Sequence, residues 1–276
     1  MTKNKISIGV LFLCVILSGS LSHAQDNEAA LAMAKKAQDP LGDVRAIMTD
    51  NTIAFDGGPE DDTTYAFVFQ PVYAIANETR FNMILRAIVP VVGVEPGVVL
   101  PPLGPEPRPP TDSTWGISDS IVQYIFSPKS EGSIKWGIGP QVSLKTRTSD
   151  RQAGPGWGGG LAAVIFGGAG NWALGAIGMQ HWGEDDYNVG TLQLIAMYNF
   201  ESTPGMYLGY NNAMTFNWEA SSGDTLTLPL GVTFGRTLPL SGGTGIDLSV
   251  GAYNLIERPT NAPEWQLKFG ISYFFP

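Results

Sequence analysis

Apolar residues recur at every second position in segments that are separated by Gly, Pro, Asn, Asp and Ser clusters. The last segment, Trp265 to Phe275, has an aromatic or aliphatic residue at each odd position and mostly polar or small residues at the even positions. A period of two is typical of a β-strand, and an unbroken apolar face with aromatic residues at both ends fits a strand that faces lipid. The pattern therefore predicts a membrane-spanning strand.

Eleven further segments of about ten residues show the same period, and this repetition is typical of a transmembrane barrel. The clearest are Tyr65–Tyr73, Phe81–Val91, Ile134–Thr146, Met206–Trp218, Leu226–Phe234 and Ile246–Ala252, and the weaker ones are Thr49–Phe55, Ile117–Phe126, Trp157–Phe166, Trp172–Trp182 and Thr191–Phe200. We therefore predict an all-β fold, a transmembrane antiparallel β-barrel of about twelve strands with a short N-terminal helix. An even strand number places both termini on the periplasmic side.

Long and short connections alternate along the chain. The connections 93–114 and 149–156 are long, whereas those around Asn77 and between Gly167 and Gly170 are tight. Long external loops and short periplasmic turns indicate a membrane barrel, and a secreted β-sandwich or lipocalin-like barrel is the alternative. The proline-rich connection 93–114 is either a stiff external flap or a segment folded into the mouth of the barrel.

The N-terminal segment has the pattern of a secretory signal. Lys3 and Lys5 precede the apolar run 6–17, and small residues lead to a cleavage site after Ala24. A lipoprotein acylated at Cys14 is the alternative. We expect a signal peptide at 1–24, a periplasmic helical segment at 25–46 and an outer-membrane barrel at 47–276. The helix, Asp26 to Gln38, would lie in the periplasm or in the periplasmic mouth of the barrel.

Charge and cysteine content narrow the possible chemistry. The chain has 16 basic and 25 acidic residues, and removing Lys3 and Lys5 with the signal leaves 14 against 25, a net charge of −11. Nucleic acid is therefore not an expected partner. Cys14 is the only cysteine, so the mature chain has no disulfide or thiolate chemistry. The expected partners are outer-membrane lipid, a small-molecule solute, and the barrel-assembly machinery, which would engage the C-terminal strand.

The strand register assigns a set of polar residues to the lumen. An Arg or Lys on the lipid face costs about 2 to 4 kcal/mol at mid-membrane, which favours the inward register for these charges. They would form either an internal network of ion pairs or the wall of a path that attracts anionic or polar aromatic solutes. The predicted lumen-lining residues are Arg86, Asp119, Lys135, Gln141, Lys145, Arg147, Asp247 and Lys268.

Candidate catalytic and metal-binding groups are few. His181 is the only histidine of the mature chain, and without a Ser-centred motif it is interpreted as a hydrogen-bonded interior group. An outer-membrane hydrolase using His181 remains a rival hypothesis. The run Glu184-Asp185-Asp186 lacks the spacing of a calcium loop and is interpreted as a solvated turn. We predict no catalytic residue, cofactor or metal site.

Several short blocks in order give the chain a family resemblance. They are the run Leu31 to Pro40, then Gln70-Pro71-Val72, Phe126-Ser127-Pro128, Trp136 to Pro140, Asn217 to Ala220, Leu228 to Gly231, Ala252-Tyr253-Asn254, and Pro259 to Trp265. In these the chain resembles the outer-membrane proteins grouped as putative components of the MetA pathway of phenol degradation. The resemblance implies an outer-membrane barrel of transporter type associated with aromatic compounds, and it carries over no catalytic residues.

These patterns together predict a function in transport. We expect an outer-membrane channel for passive passage of small solutes, with aromatic compounds as the candidate cargo. The alternative is a structural or surface-interaction barrel whose lumen is plugged and which conducts nothing.

Overall fold

The computed structural model describes residues 24–43, 45–75, 80–100, 111–129, 132–149, 152 and 154–275. Residues 1–23, which hold nearly all of the predicted signal, lie outside the described part. The described elements are α1 (Ala24–Gln38), β1 (Arg45–Gly57), β2 (Asp62–Ile75), β3 (Phe81–Val94), β4 (Thr114–Ile117), β5 (Ser120–Pro128), β6 (Ile134–Leu144), β7 (Gly158–Ala169), β8 (Trp172–Trp182), β9 (Asn188–Asn199), β10 (Met206–Asn217), β11 (Leu226–Pro239), β12 (Gly245–Glu257) and β13 (Trp265–Phe275), with a 3-10 turn at Ser241–Gly243.

The strands close into a barrel. Each strand pairs antiparallel with its neighbour in the chain, and β1 pairs with β13 from Arg45 opposite Phe275 to Phe55 opposite Trp265. The segments β4 and β5 both pair with β3 and form the two parts of one wall strand. The prediction of an antiparallel barrel of twelve strands is therefore confirmed.

The outer wall is apolar and has an aromatic girdle at each end. One girdle lies at the end of the barrel where the connections 95–113 and 145–157 emerge, which we call the long-loop end; the opposite end is the short-turn end. Exposed aromatic residues at the long-loop end are Trp115, Trp157, Trp182, Trp218 and Trp265, and those at the short-turn end are Tyr73, Phe81, Phe126, Trp172 and Tyr273. Two aromatic girdles around an apolar band are the surface of a membrane-spanning barrel.

In the described part of the chain, no helix is both long and apolar enough to cross a membrane.

The interior of the barrel has a hydrophobic side. Inward residues of β3, β5, β7, β8, β9 and β10 pack with Leu41 into one buried cluster: Leu41, Ile84, Ile125, Ala162, Val164, Phe166, Ala173, Ile177, Ile195, Met197 and Tyr207. The alternation of apolar and polar residues is therefore weak in β7, β8 and β9, since both of their faces carry apolar side chains. This explains why the sequence pattern was less clear for these strands than for β3 or β6.

Helix α1 lies in the short-turn mouth of the barrel. It packs mainly on β11 and β12, with Ala30 beside the turn at Gly205 and Met33 beside Gly245. The side-chain amides of Gln38 and Asn199 exchange two hydrogen bonds of 3.0 Å. Of the two locations left open by the sequence, the structure therefore selects the mouth of the barrel.

Most strands differ from the predicted segments by a few residues at one or both ends, and two of these differences affect the predicted lumen residues. The segment predicted as one strand, Ile117 to Phe126, is interrupted at Ser118 and Asp119, because the Asp119 carboxylate turns to accept hydrogen bonds from the connection 145–157. Strand β6 ends at Leu144 rather than at Thr146. Lys145 and Arg147 therefore lie beyond the strand in which the sequence pattern placed them, since alternation alone does not mark where pairing stops.

The ladder between β10 and β11 has a gap that a side chain fills. Within residues 206–239, all described, pairing runs from Met206 opposite Arg236 to Gly209 opposite Thr233 and resumes only at Thr215 opposite Thr227. The fully buried Tyr253 of β12 reaches into this gap. Its hydroxyl oxygen accepts from the Asn211 backbone N at 3.2 Å, lies 3.3 Å from the Asn211 carbonyl and 2.6 Å from Thr233 Oγ1. A phenol thereby replaces part of the missing backbone pairing.

We expect Tyr253→Phe to lower the free energy of unfolding of the refolded barrel by about 1 to 3 kcal/mol, since it leaves a buried backbone donor without a partner. Urea titration in detergent or lipid, followed by tryptophan fluorescence, measures the change. Tyr273→Phe is the matched control, because Tyr273 faces outward and is 41% exposed. Equal unfolding midpoints for the two variants would contradict this role of the Tyr253 hydroxyl.

Candidate functional site

The barrel encloses a cavity of about 210 Å³ between α1 and the strands. We call it the lumen cavity. Its floor is made by the end of α1 and the residues that follow, from Lys36 to Pro40 together with Gly42. The strands supply the remaining lining, which includes Asp50, Gln70, Ile84, Arg86, Gln123, Ile125, Val164, Ile177, Gln193, Ile195, Met197, Tyr207, Asn211, Thr233, Asp247, Ser249, Lys268 and Phe274.

One side of the lumen cavity carries a band of charged and amide side chains on the adjacent strands β13, β1, β2 and β3. We call Lys268, Asp50, Gln70 and Arg86 the charged band. Lys268 Nζ lies 2.8 Å from Asp50 Oδ2, and Arg86 Nε donates to Gln70 Oε1 at 3.1 Å. Each of these side chains is held by a neighbour, so the band is a preorganised surface rather than a set of mobile side chains.

The opposite side of the lumen cavity is apolar. Val164, Ile177 and Ile195 come from β7, β8 and β9, which lie across the barrel from β1 in the strand order. These three side chains are at most 8% exposed. The lumen cavity is therefore two-sided, with the charged band facing an apolar wall.

The charged groups that line the lumen cavity balance in number, and Lys135, just outside the lining, adds one positive charge. Three cations (Lys36, Arg86 and Lys268) and three carboxylates (Asp39, Asp50 and Asp247) contribute to its lining. Asp39 is neutralised by Lys135, whose Nζ lies 2.5 Å from Asp39 Oδ2 and which is not part of the lining. Asp247 is held by the hydroxyls of Tyr207 at 2.7 Å and Thr237 at 2.6 Å.

The predicted lumen residues fall into three groups. Arg86, Asp247 and Lys268 line the lumen cavity. Lys135 lies beside it and ties the segment after α1 to β6 through Asp39. The remaining four lie elsewhere: Gln141 is buried in a hydrogen-bond network of β5, β6 and β8, and Asp119, Lys145 and Arg147 lie at the long-loop end.

Asp119 anchors the connection between β6 and β7. Its side chain is fully buried, and it accepts from Arg147 Nη2 at 2.5 Å and from the Gly156 backbone N at 2.6 Å. Arg147 also donates to the Gly154 carbonyl at 3.1 Å. Burial and the nearby Asp119 charge raise the pKa of the Tyr187 hydroxyl. Asp119 was expected to pair with a cation of the lumen, and in the structure its partner Arg147 belongs to a loop.

Lys145 is an exposed residue of the long-loop end. Its Nζ lies 2.7 Å from Glu184 Oε2, and the hydrogen bond to Glu184 raises the pKa of Lys145. Four of the predicted lumen residues, Arg86, Lys135, Lys145 and Arg147, are basic. They form no continuous wall, because each side chain is held by a different partner at a different depth of the barrel.

The long-loop end is otherwise acidic. Its connections carry a series of carboxylates: Glu60, Asp61, Asp185, Asp186 and Glu219 are exposed, and Asp224 is half-buried. A backbone hydrogen bond from Thr260 lowers the pKa of Asp224, so this side chain is held as an anion. The cations of the charged band, Arg86 and Lys268, therefore lie below a negatively charged rim.

His181 belongs to an arrangement that the sequence did not reveal. Its Nε2 lies 2.9 Å from Ser143 Oγ, and its Nδ1 lies 3.1 Å from Gln141 Nε2. A serine, a histidine and an amide in line resemble a hydrolase triad. Ser143 and Gln141 are two residues apart on the inward face of β6, but only the pairing through β7 to β8 brings His181 to them.

The hydrogen bonds around Gln141 indicate a structural role for this trio. Gln141 Oε1 accepts from Gln123 Nε2 at 2.8 Å, and Gln141 Nε2 lies 3.2 Å from the Gln180 carbonyl, which fixes the orientation of the amide. The amide N–H then faces His181 Nδ1, so the ring proton lies on Nε2 and is donated to Ser143. A general base would present an unprotonated nitrogen to the serine. The interpretation of His181 as a hydrogen-bonded interior group is thus supported.

Comparisons with known proteins show likeness of fold. No protein-family model matches the chain, and no curated protein matches it. The outer membrane channel from Pseudomonas putida F1 is 13% identical, with a TM-score of 0.60 over 86% of this chain and 97% of that one. Outer membrane phospholipase A from Escherichia coli is 12% identical with a TM-score of 0.42, covering 92% and 99%. OccK5 from Pseudomonas aeruginosa is 12% identical with a TM-score of 0.34, covering 85% and 98%.

We expect Asp119→Asn to loosen the connection 145–157, since the half-buried Arg147 loses its counter-charge. Trypsin should then cleave after Arg147 faster in the folded variant than in the wild-type protein, by about tenfold or more. Asp186→Asn is the control, because Asp186 is an exposed turn residue in a left-handed conformation that asparagine also adopts. Cleavage of Asp119→Asn at the rate of the control would show that the ion pair does not hold the loop.

Proposed function

We propose that the protein is a channel of the bacterial outer membrane for passive passage of small solutes, with α1 as a plug in its periplasmic mouth. The lumen cavity carries this proposal, since it lies within a closed membrane barrel and contains charged groups that lipid would not solvate. The fold likeness to the outer membrane channel of P. putida F1 supports it. The short-turn end would be periplasmic, as in barrels with an even strand number.

The positions of α1 and of the β6–β7 connection indicate where passage of a solute is restricted. At the periplasmic end, α1 and the Asp39–Lys135 ion pair cover the floor of the lumen cavity. At the external end, Asp119 binds Arg147 and Gly156 of the connection between β6 and β7. Passage of a solute through the barrel therefore requires displacement of α1 or of the segment that follows it.

The apolar wall favours solutes with an apolar or aromatic body. An apolar cavity of about 150 Å³ holds a benzene molecule, so the lumen cavity has room for a substituted ring. The resemblance to proteins grouped with phenol degradation points to the same class of compound. We therefore propose aromatic compounds as the cargo.

A barrel that conducts nothing is the second candidate. The buried apolar cluster of the interior and the plug favour it, because both fill the bore. Its function would lie in the loops of the long-loop end. A hydrolase is less well supported, since the proton on His181 Nε2 faces Ser143 Oγ.

The N-terminal segment and the last strand suggest how the protein is targeted and assembled. We propose that residues 1–24 are removed as a signal peptide. The barrel-assembly machinery would engage β13, whose outward face is aromatic and which must pair with β1 to close the wall. The lipid of the outer membrane would then surround the apolar belt.

A reversible crosslink tests whether α1 must move. The mature chain has no cysteine, and a side chain at position 245 would lie about 3 Å from the Met33 side chain. We expect the double variant Met33→Cys/Gly245→Cys to lose most of its single-channel conductance in planar bilayers when oxidised, because the disulfide holds α1 in the mouth. Reduction should restore the conductance in the same preparation.

The two single-cysteine variants control for the substitutions and for the oxidant, and both should conduct under either condition. Conductance of the oxidised double variant equal to that of the reduced one would show that solutes pass without displacement of α1. A folded wild-type protein that never conducts would support the non-conducting candidate instead.

A further inference from the structure

The lumen cavity combines two surfaces that recognise different parts of one molecule. On one side the Arg86 guanidinium has two of its nitrogens bonded to Gln70, and Lys268 is bonded to Asp50 and to Asn212 Oδ1. On the other side the wall of Val164, Ile177 and Ile195 offers only carbon atoms. A ligand that satisfies both surfaces has a polar end and an apolar body.

The net charge of the charged band determines which charge the polar end of the ligand should carry. The charged band contains two cations, Arg86 and Lys268, and one carboxylate, Asp50, which pairs with Lys268, so the band has one more positive than negative charge. A cation bound there would add to this excess, whereas an anion would neutralise it. A carboxylate can accept charge-assisted hydrogen bonds from a guanidinium and an ammonium group.

The volume of the lumen cavity limits the ligand to a small molecule. Pockets for drug-sized ligands have volumes of about 300 to 1,000 Å³, and a cavity of about 150 Å³ holds a benzene ring. A volume of about 210 Å³ lies between these and suits one ring with a carboxylate attached.

We propose that the lumen cavity is a binding site for small amphipathic monoanions, aromatic monocarboxylates in the first place. The carboxylate lies at Arg86 and Lys268, and the ring packs on Ile177 and its neighbours in the apolar wall. This inference rests on the proposed function for the route by which the ligand arrives, but binding itself requires no conduction. The acidic rim at the long-loop end lowers the local concentration of anions and is screened within about 8 Å at 0.15 M salt.

Binding of fluorinated probes to the mature protein in nanodiscs tests the site, with ¹⁹F relaxation as the readout and empty nanodiscs as the background. Three probes separate the two surfaces: 4-fluorobenzoate has both parts, 4-fluorobenzamide lacks the charge and fluoroacetate lacks the ring. We expect 4-fluorobenzoate to bind about tenfold more tightly than either of the others, as for one charge-assisted hydrogen bond.

Variants assign the two ends of the ligand. Arg86→Gln should remove the preference of the protein for benzoate over benzamide and leave benzamide binding unchanged, and Lys268→Gln should act in the same direction. Ile177→Ala should weaken the binding of both aromatic probes, 4-fluorobenzoate and 4-fluorobenzamide. Lys145→Gln is the matched control, because it removes a positive charge from an exposed residue outside the lumen cavity. Folding of each variant is checked by its heat-dependent mobility on gels, and Lys268→Gln replaces Arg86→Gln if the latter does not fold.

The outcomes separate this site from the proposed function. Equal binding of benzoate and benzamide, or a loss in Lys145→Gln as large as in Arg86→Gln, would overturn the anion site, as would the absence of binding. Binding with the expected preference by a protein that does not conduct would sustain the site and contradict the channel. Conduction by a protein that binds none of the probes would support the channel and overturn the binding site.

Discussion

A closed ladder of backbone hydrogen bonds holds the barrel together and fixes what each strand can present to lipid and to the interior. Within a bilayer no water can satisfy an unpaired N–H or C=O group, so every strand needs two partners and β1 must meet β13. Where the ladder between β10 and β11 opens, a side chain supplies the missing partner through the Tyr253 hydroxyl. Closure also fixes the register, because each strand must present its apolar face to lipid along its whole length.

Closure leaves the protein with an interior that has to hold every charge of the wall strands. The chain divides that interior into regions. Amide and hydroxyl groups form a buried network around Gln141 and His181, apolar side chains of β7 to β9 form a packed wall, and the charged band faces that wall across the lumen cavity. Helix α1 occupies the mouth below, where Gln38 bonds to Asn199 and Asp39 pairs with Lys135. The space between these regions is the only part of the interior where we place a solute.

Much of the fold could be predicted from the sequence because a strand in lipid has a strict period. The bounds of β8 and β13 were predicted to the residue, and the inward positions of Arg86 and Lys135 follow from the outward exposure of Phe81 and Ile134. Lys145 and Arg147 were assigned to the wrong element, since the end of β6 depends on where loop 145–157 turns toward Asp119.

The site itself was less predictable. Contacts such as Ser143 with His181, or Asp39 with Lys135, join residues that are distant in the chain and become neighbours only when register and shear are known. The apolar wall was hidden for a related reason: apolar residues on both faces of β7 to β9 weaken the alternation by which a lumen face is recognised.

Chemical labelling of a single cysteine at position 249 tests most directly whether the barrel encloses a solute-accessible cavity. Ser249 lines the lumen cavity, and the mature chain contains no other cysteine. In proteoliposomes we expect a small water-soluble, membrane-impermeant thiol reagent to modify Ser249→Cys. Leu230→Cys, on the lipid-facing surface, should stay unmodified. If a folded Ser249→Cys protein resists the reagent as completely as Leu230→Cys, the interior is closed to solutes, which contradicts a solute-accessible lumen cavity.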